Sequence, residues 1–577
     1  MCGIVGIVAK QPFSVKNSLL KALQRLEYRG YDSVGYATLD GFVEKQIGHI
    51  DAFVAVLKDR KTTLGISHTR WATHGGVTQI NAHPHWNKNK TIFAIHNGII
   101  ENYQDIKTQL EKKGYHFISQ TDTEVIPHYI DDQLRQGKGM KAALVSFMKE
   151  ATGTFAILLF KKDEKKLYAL KRDSPLCVGI CDDQIIVASD IYAFSDCTNK
   201  ATFFEDDEGA IIEEDTVTFF DRTGKSVKKK STTFEWTRTD ETKDQYDHYM
   251  IKEIKEQPLA SQRLITSFDT LQREHIEKVV SLIKKYSKIV FVAAGTSYHA
   301  SLVGAILLTK LGYNARTIIA SETETFITFD KNTLCIALSQ SGETMDVVTV
   351  LKHATKNSAK VVSIVNVPYS TIQRLSETSI EILAGQEICV ASTKTFTNQL
   401  IVLFELARRL DYGIDLHKIP KRIQQTIALN EDHIKHLAHE LYQKNDIYVL
   451  GRGMSYPMAR EIALKLKEIP YIHAEGMMAG ELKHGTIALI EQGTPVIALI
   501  PNNNLEMQSN TKEVEARGAR VITVSNTDGE LHIPQCDDAE FAIYSCIIGH
   551  LLSYYIAVLR GCPIDKPRNL AKSVTVK

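Results

Sequence analysis

Cysteine is scarce in this chain: nine residues in 577, an odd number, with no two pairs at zinc-knuckle spacing. That scarcity excludes a disulfide scaffold and predicts a reducing, cytoplasmic home with no bound metal. The nearest approach to a ligand pair is Cys177 with Cys181, and with no second pair close by both read as small buried hydrophobes. Charge of one sign is equally lacking. With 69 basic against 68 acidic side chains, the chain has no electrostatic footprint for nucleic acid or an anionic membrane, so its function is sought in a small, locally held ligand. The apolar start IVGIVA, residues 4–9, stops at Lys10, Gln11 and Pro12, too short for a signal-peptide core or a membrane span, and it reads as a strand. What is present is ordinary globular composition, 44% hydrophobic and 24% charged, in a length that calls for three or four domains of roughly 100 to 200 residues.

Two architectures follow each other along the chain. Up to about residue 235, short alternating or aliphatic runs such as TLGISHTRWA, TIFAIHNGII, TFAILLF and QIIVASD predict stacked antiparallel sheets, with helices over 14–27, 101–113 and 123–136. This is an α+β domain, assigned to 2–235. Residues 236–247 lose aliphatic periodicity and read as a linker. Beyond it, strands alternate with long amphipathic helices, the signature of doubly wound parallel α/β layers. An internal repeat divides this half. KIVFVAAGTSYHA, with Gly295, returns as DIYVLGRGMSYPMA, with Gly453, 158 positions on; AKVVSIVN and ARVITVSN, ending at Asn366 and Asn526, are 160 apart. The boundaries are set at 248–425 and 426–560, with a tail over 561–577, and ligands are expected outside the carboxyl ends of the strands.

Cys2 follows the initiator methionine, whose removal leaves a free amine beside a thiol. The neutral fraction of such an amine accepts the thiol's proton with no histidine needed. Read with YRGYDSVG (28–35), HTRWATHGG (68–76), HNGII (96–100) and TDTE (121–124), Cys2 places the first domain in close resemblance to the class II glutamine amidotransferases, the amino-terminal-nucleophile family. That resemblance implies a glutamine site: Cys2 as nucleophile, with Asn97 and the amide of Gly98 as donors to the tetrahedral oxyanion. Arg70 suits a free α-carboxylate and Asp122 an α-ammonium. Trp71, His74 and Gly75 lie on the loop expected to close over glutamine.

The second half carries LCIALSQSGET (334–344), a buried strand, a hydroxyl-rich turn and a helix start, which together make an anion site suited to a phosphate monoester. Four polar side chains in six residues exceed what helix capping requires. This string, AGTSYHA and VASTKTFT resemble the sugar isomerase domain. The resemblance puts Ser339, Gln340, Ser341 and Thr344 on the phosphate and Thr296, Ser297, Val390 and Ser392 around the sugar. In the second copy Glu461, Lys465 and Glu468, spaced i, i+4, i+7, share one helix face. A surface ion-pair ladder is the bland alternative, but the stretch EIALKLKEIPYIHAEGMMAGELKHG and the tail DKPRNLAKSVTVK resemble the glucosamine 6-phosphate synthase family. What that family implies is a ketose phosphate aminated with nitrogen from glutamine and isomerised to an aldose. Glu468 is then the base that moves a proton between neighbouring carbons, Lys465 steadies the developing enolate, and His484 opens the ring, reaching in from a neighbouring subunit of a homodimer. Lys572 forms a Schiff base, its amine expected in an apolar pocket; Trp71 and the tail gate an ammonia channel.

Ala294 and SETETF (321–326) depart from the usual pattern of that family, and the long first-domain insert of animal members is missing, which points to a short, bacterial-type form. Competing readings are an amidotransferase with another acceptor and a non-catalytic sugar phosphate sensor. The first lacks a pyrophosphate or SGG-type ATP loop; the second does not explain Glu468, His484 and Lys572 together. With no nucleotide loop and no metal cluster in the sequence, turnover without cofactors is expected.

Overall fold

The computed structural model describes residues 2–234 and 242–574, so Met1, residue 235, the first half of the expected linker (236–241) and the last three residues of the tail lie outside the described residues. The chain divides into two compact units, Met1–Asp240 with Ser573–Lys577, and Glu241–Lys572.

In the first unit, strand Gly3–Ser14 sits inside an eight-stranded antiparallel sheet, flanked by Gln184–Ala188 and Lys61–Arg70. A seven-stranded antiparallel sheet stacks on it, with Ile92–Ile100 beside Gly153–Lys161. The period-two alternation of strands explains the layering. Phe93 and Ile95 pack with Ile4, Val8, Leu64, Ile66 and Leu158 between the sheets. Ile92 and Ala94 face the other way, onto Ile106, Ile126 and Phe147 of the helices Tyr103–Lys112, Val125–Arg135 and Met140–Glu150. The expected helix over 14–27 is shorter: the first strand runs on to Ser14, whose side chain caps the following turn, and helical backbone covers Val15–Leu20 and Lys21–Gln24. One cysteine expectation is overturned. Cys177 is buried, but Cys181 is joined to Cys197 in a disulfide. The turn following Cys177–Ile180 brings Cys181 beside the segment after Ile191–Phe194, a proximity in space that spacing along the chain does not reveal.

The second unit holds two five-stranded parallel sheets of equivalent order. In one, Lys288–Ala293 lies between Ala315–Ile319 and Thr333–Ser339, followed by Lys360–Val365 and Ser379–Glu381. In the other, Asp446–Gly451 lies between His473–Met478 and Pro495–Ile500, followed by Arg520–Ser525 and Leu531–His532. Gly295 opens helix Gly295–Lys310 and Gly453 stands two residues before the equivalent helix Ser455–Glu468, with φ of 54° and 53°, the same left-handed entry in each copy. One continuous core spans both sheets. Helix Asp538–Leu559 is long and apolar enough to cross a membrane, yet 83% of its most apolar window is buried inside the protein, as a core helix should be. Its start is fixed by Asp537, whose carboxylate accepts from the amide of Glu540 at 2.8 Å.

Candidate active sites

In the first unit, Cys2 heads its strand, half-buried, and its Sγ accepts from the amide of Trp71 at 3.3 Å. The side-chain amide of Asn97 donates to the Cys2 carbonyl at 2.9 Å, and its buried Oδ1 has no hydrogen-bond partner among the described residues. Next to it Gly98 has φ of 119°, and a Cβ there would lie 2.1 Å from the Thr154 carbonyl oxygen, so the position demands glycine. Asn97 therefore lies beside Cys2 from strand Ile92–Ile100, with Gly98 next to it in the chain. Burial pushes the Cys2 thiol up, against the opposing pull of the Trp71 amide and the Arg70 charge.

Arg70 is buried, and its guanidinium donates to the carbonyls of His74, Gly75 and Gly76, at 3.1 Å for Gly75 and 3.2 Å for Gly76. Its fork thus holds the loop that carries Trp71, His74 and Gly75, and burial lowers its pKa from the ordinary range. Asp122 is buried too, with one carboxylate oxygen accepting from the Ile100 amide at 2.8 Å. Asp32 went unnoticed in the sequence; its carboxylate accepts from Ala72 at 2.8 Å and its amide donates to the Arg70 carbonyl, so it pins the loop's first turn. Nothing in the sequence beyond its place in YRGYDSVG marks it.

In the second unit the hydroxyl-rich turn follows strand Thr333–Ser339. Ser339 Oγ accepts from the amide of Gly342 and lies 3.0 Å from Thr344 Oγ1; Ser341 Oγ accepts from Glu343; and Gln340 keeps a buried, partnerless Oε1. Gly342 has φ of 66°, with Ser370 where a Cβ would go. Helix Met345–Lys356 starts here, and its N-cap residue Thr344 makes no side-chain capping bond, so the Thr344 hydroxyl is not spent on the helix start.

Helix Ser455–Glu468 carries the acid-base face. Lys465, 0% exposed, donates to Thr296 Oγ1 at 3.0 Å and pairs with Glu461 at 3.2 Å and Glu468 at 2.6 Å. Glu461, also 0% exposed, accepts from Thr296 and, at 2.7 Å, from His299 Nδ1. Burial works against both charges, yet the pair outweighs it: Lys465 is held above its ordinary range by Glu461 and Glu468, and Glu461 is held down to about 2 by Lys465 and His299. Glu468 is the outermost member, its carboxylate partly exposed. This is no surface ladder. Ser297 Oγ accepts from Gln399 at 2.9 Å, which ties the first turn to helix Lys394–Arg408.

Residues 561–572 of the tail belong to this unit. The Asp565 carbonyl accepts from Val390 and the Asp565 carboxylate from Tyr249 and Met250, each at 3.0 Å. The Lys572 side chain is buried, but its amine is in no apolar pocket: it pairs with Glu387 and donates to the Cys389 carbonyl at 2.8 Å. Ser392 is half-buried on the same loop. His484 ends the turn Ala479–His484, exposed and without a hydrogen-bond partner among the described residues.

Family models match these regions: a glutamine amidotransferase domain over residues 68–196 and the SIS domain over 281–408 and 440–543. Fold and sites together define a glutamine amidotransferase domain joined to two sugar isomerase domains. Over 100% of both chains, the protein is 43% identical to the glutamine–fructose-6-phosphate aminotransferase (isomerizing) of Thermococcus kodakarensis, and 39% to that of Clostridium acetobutylicum. The chain belongs to the glutamine–fructose-6-phosphate aminotransferase (isomerizing) family. Among solved structures, the C-terminal domain of glucosamine-fructose-6-phosphate aminotransferase from Francisella tularensis matches with TM-score 0.51 and 33% identity, covering 57% of this chain and 100% of that one. Tagatose-6-phosphate ketose/aldose isomerase from Escherichia coli, at TM-score 0.51 and 19% identity over 57% of this chain and 98% of that one, shares the fold.

Proposed function

We propose that the chain makes glucosamine 6-phosphate and glutamate from fructose 6-phosphate and glutamine, the first step of amino sugar synthesis. The observation that carries this reading is Lys465, fully buried, bridged to Thr296 and to both Glu461 and Glu468 beyond the end of a parallel strand. A lysine so clamped stays cationic and stabilises an enolate, while Glu468 beside it moves a proton from one sugar carbon to the next.

Glutamine is attacked by Cys2, with Arg70, Trp71, His74, Gly75 and Asp122 binding it and Asn97 and Gly98 stabilising the oxyanion. The released ammonia passes to the sugar ketone. Ser339, Gln340, Ser341 and Thr344 hold the phosphate; Thr296, Ser297, Val390 and Ser392 line the sugar; Lys572 forms the Schiff base. His484, exposed in its own chain, serves the neighbouring subunit of a homodimer. Residues 2–235, 248–425 and 426–560 are the three catalytic modules, with 236–247 as linker and 561–577 as closing tail, in a cytoplasmic enzyme.

Product analysis by mass spectrometry, with glutamine and fructose 6-phosphate alone, tests the reaction. In Cys2→Ala, synthesis from glutamine should fall to background while synthesis from added ammonium salt persists. Glutamine-driven turnover at the parent rate would refute the role of Cys2.

A further inference from the structure

Two buried carboxyl groups that this scheme leaves unused grip the loop carrying Val390 and Ser392. Glu387 accepts from the amides of Thr393 and Thr395 at 2.9 and 3.1 Å and from the Thr395 hydroxyl at 2.6 Å, and it holds the Lys572 amine. Glu253, from helix Tyr249–Ser267, is 2% exposed. Its Oε1 accepts from the amides of Ile388 at 2.5 Å and Cys389 at 3.3 Å, and its buried Oε2 has no hydrogen-bond partner among the described residues. The same short stretch therefore presents one carboxylate to Lys572 and rests on a second.

The charges around Glu253 decide its state. Facing it are Glu387, Lys572 and Lys394, with the Cys389 thiol on the shared loop and Asp565 beyond that thiol. On its own helix, Lys252 and Glu256 pair at 3.6 Å, and Glu256 also takes Lys394 at 2.8 Å. Lys394 is thus already matched, and Glu387 matches Lys572. An ionised Glu253 would be a buried negative charge whose facing cations among the described residues, Lys572 and Lys394, are already paired with Glu387 and Glu256. Burial first, and the Glu387 charge second, push Glu253 up to about 8, so at neutral pH it is an uncharged acid whose carbonyl oxygen still accepts the two loop amides.

We propose that Glu387 and Glu253 are the positioning residues of Lys572: Glu387 fixes its amine against the Cys389 carbonyl and relays its protons, and Glu253 stays uncharged so that a single carboxylate opposes their loss. This rests on the reading of Lys572 as the Schiff-base lysine. The balance closes within the pair. The ammonium gives one proton to Glu387, and the freed nitrogen lone pair bonds to the ketone carbon while the carbonyl electrons move to oxygen. That oxygen takes the proton back from Glu387. A second proton then leaves nitrogen by the same carboxylate for the hydroxyl, which departs as water as the C=N bond forms, and Glu387 ends as it began.

The test is the initial rate of borohydride trapping with fructose 6-phosphate on the full-length enzyme from pH 6 to 9.5, with the adduct located by peptide mapping. The parent should be modified at Lys572, its rate falling about tenfold from pH 7 to pH 9 as Glu253 ionises. Glu253→Gln, which keeps the shape and the accepting oxygen, should lose that fall. Glu387→Gln should trap at least about tenfold more slowly at every pH, with partial recovery in Glu387→Asp. A Glu253→Gln profile that superimposes on the parent, or full trapping in Glu387→Gln, overturns the inference while an adduct at Lys572 leaves the reading of the lysine standing. No adduct at Lys572 in the parent overturns both. Should Glu387→Gln fail to fold, the Glu253→Gln profile decides alone.

Discussion

Glu461 and Lys465 are the residues where burial and charge compete most openly. Removing one partner of a buried, hydrogen-bonded ion pair costs about 3–5 kcal/mol, because the other charge is left uncompensated. The pH dependence follows from the directions. Glu461 is depressed in the folded protein to about 2, so its contribution is fully present above the ordinary glutamate range near ~4.3 and is lost as pH falls toward about 2. Lys465 is raised, so its contribution is present below its ordinary value of ~10.4 and is lost only as pH rises past its folded value. The pair therefore stabilises the fold across the neutral range and weakens it in acid. Glu461→Gln should unfold at lower denaturant than the parent at pH 7, by about 3 kcal/mol, and the gap should narrow steadily toward pH 3 in paired denaturation curves. A gap independent of pH would show that the cost is one of shape. Spacing alone placed Glu461, Lys465 and Glu468 on one face, because i, i+4, i+7 fixes the face whatever the surroundings. It said nothing about His299 or Thr296, which join the cluster from a helix more than 150 positions earlier, nor about Glu387, which replaces the apolar surroundings expected for Lys572.

The hydroxyl-rich turn works as an element, through the end of strand Thr333–Ser339 and the start of helix Met345–Lys356. Ser339 orders it from inside by accepting the Gly342 amide and touching Thr344. Ser339→Ala should raise the KM for fructose 6-phosphate about tenfold, equivalent to ~1.4 kcal/mol, with glutaminase turnover at Cys2 unchanged; steady-state assays of both reactions separate the two. The alternation of strands and helices, the repeat and the two sheet classes were legible because side-chain period and the offset of like motifs are properties of sequence. The Cys181–Cys197 clip was not, since it depends on a turn bringing two segments together. It makes a countable prediction: denatured, unreduced protein should titrate seven thiols and reduced protein nine. Reduction should also lower stability by up to ~3 kcal/mol, the entropy of closing a loop of this length. Nine thiols before reduction would mean the bond does not form.

At the scale of the molecule, charge is near balance and each of the two units has its own core, so no electrostatic surface marks where the chemistry lies. His484 is exposed where Lys465 of the same chain is buried and paired, the contrast expected if His484 is aimed at a neighbouring copy. Complementation tests this without a structure of the assembly. Take Glu468→Gln and His484→Ala, each inactive alone in ammonia-driven synthesis, and co-express them. If each sugar site takes Glu468 from one chain and His484 from the other, a mixed dimer holds one site with both groups altered and one with both intact. Random pairing makes about half of the dimers mixed and each has half its sites working, so activity should return to about a quarter of the parent. If a single chain supplies both residues, every site in every dimer carries one altered group, and mixing restores nothing.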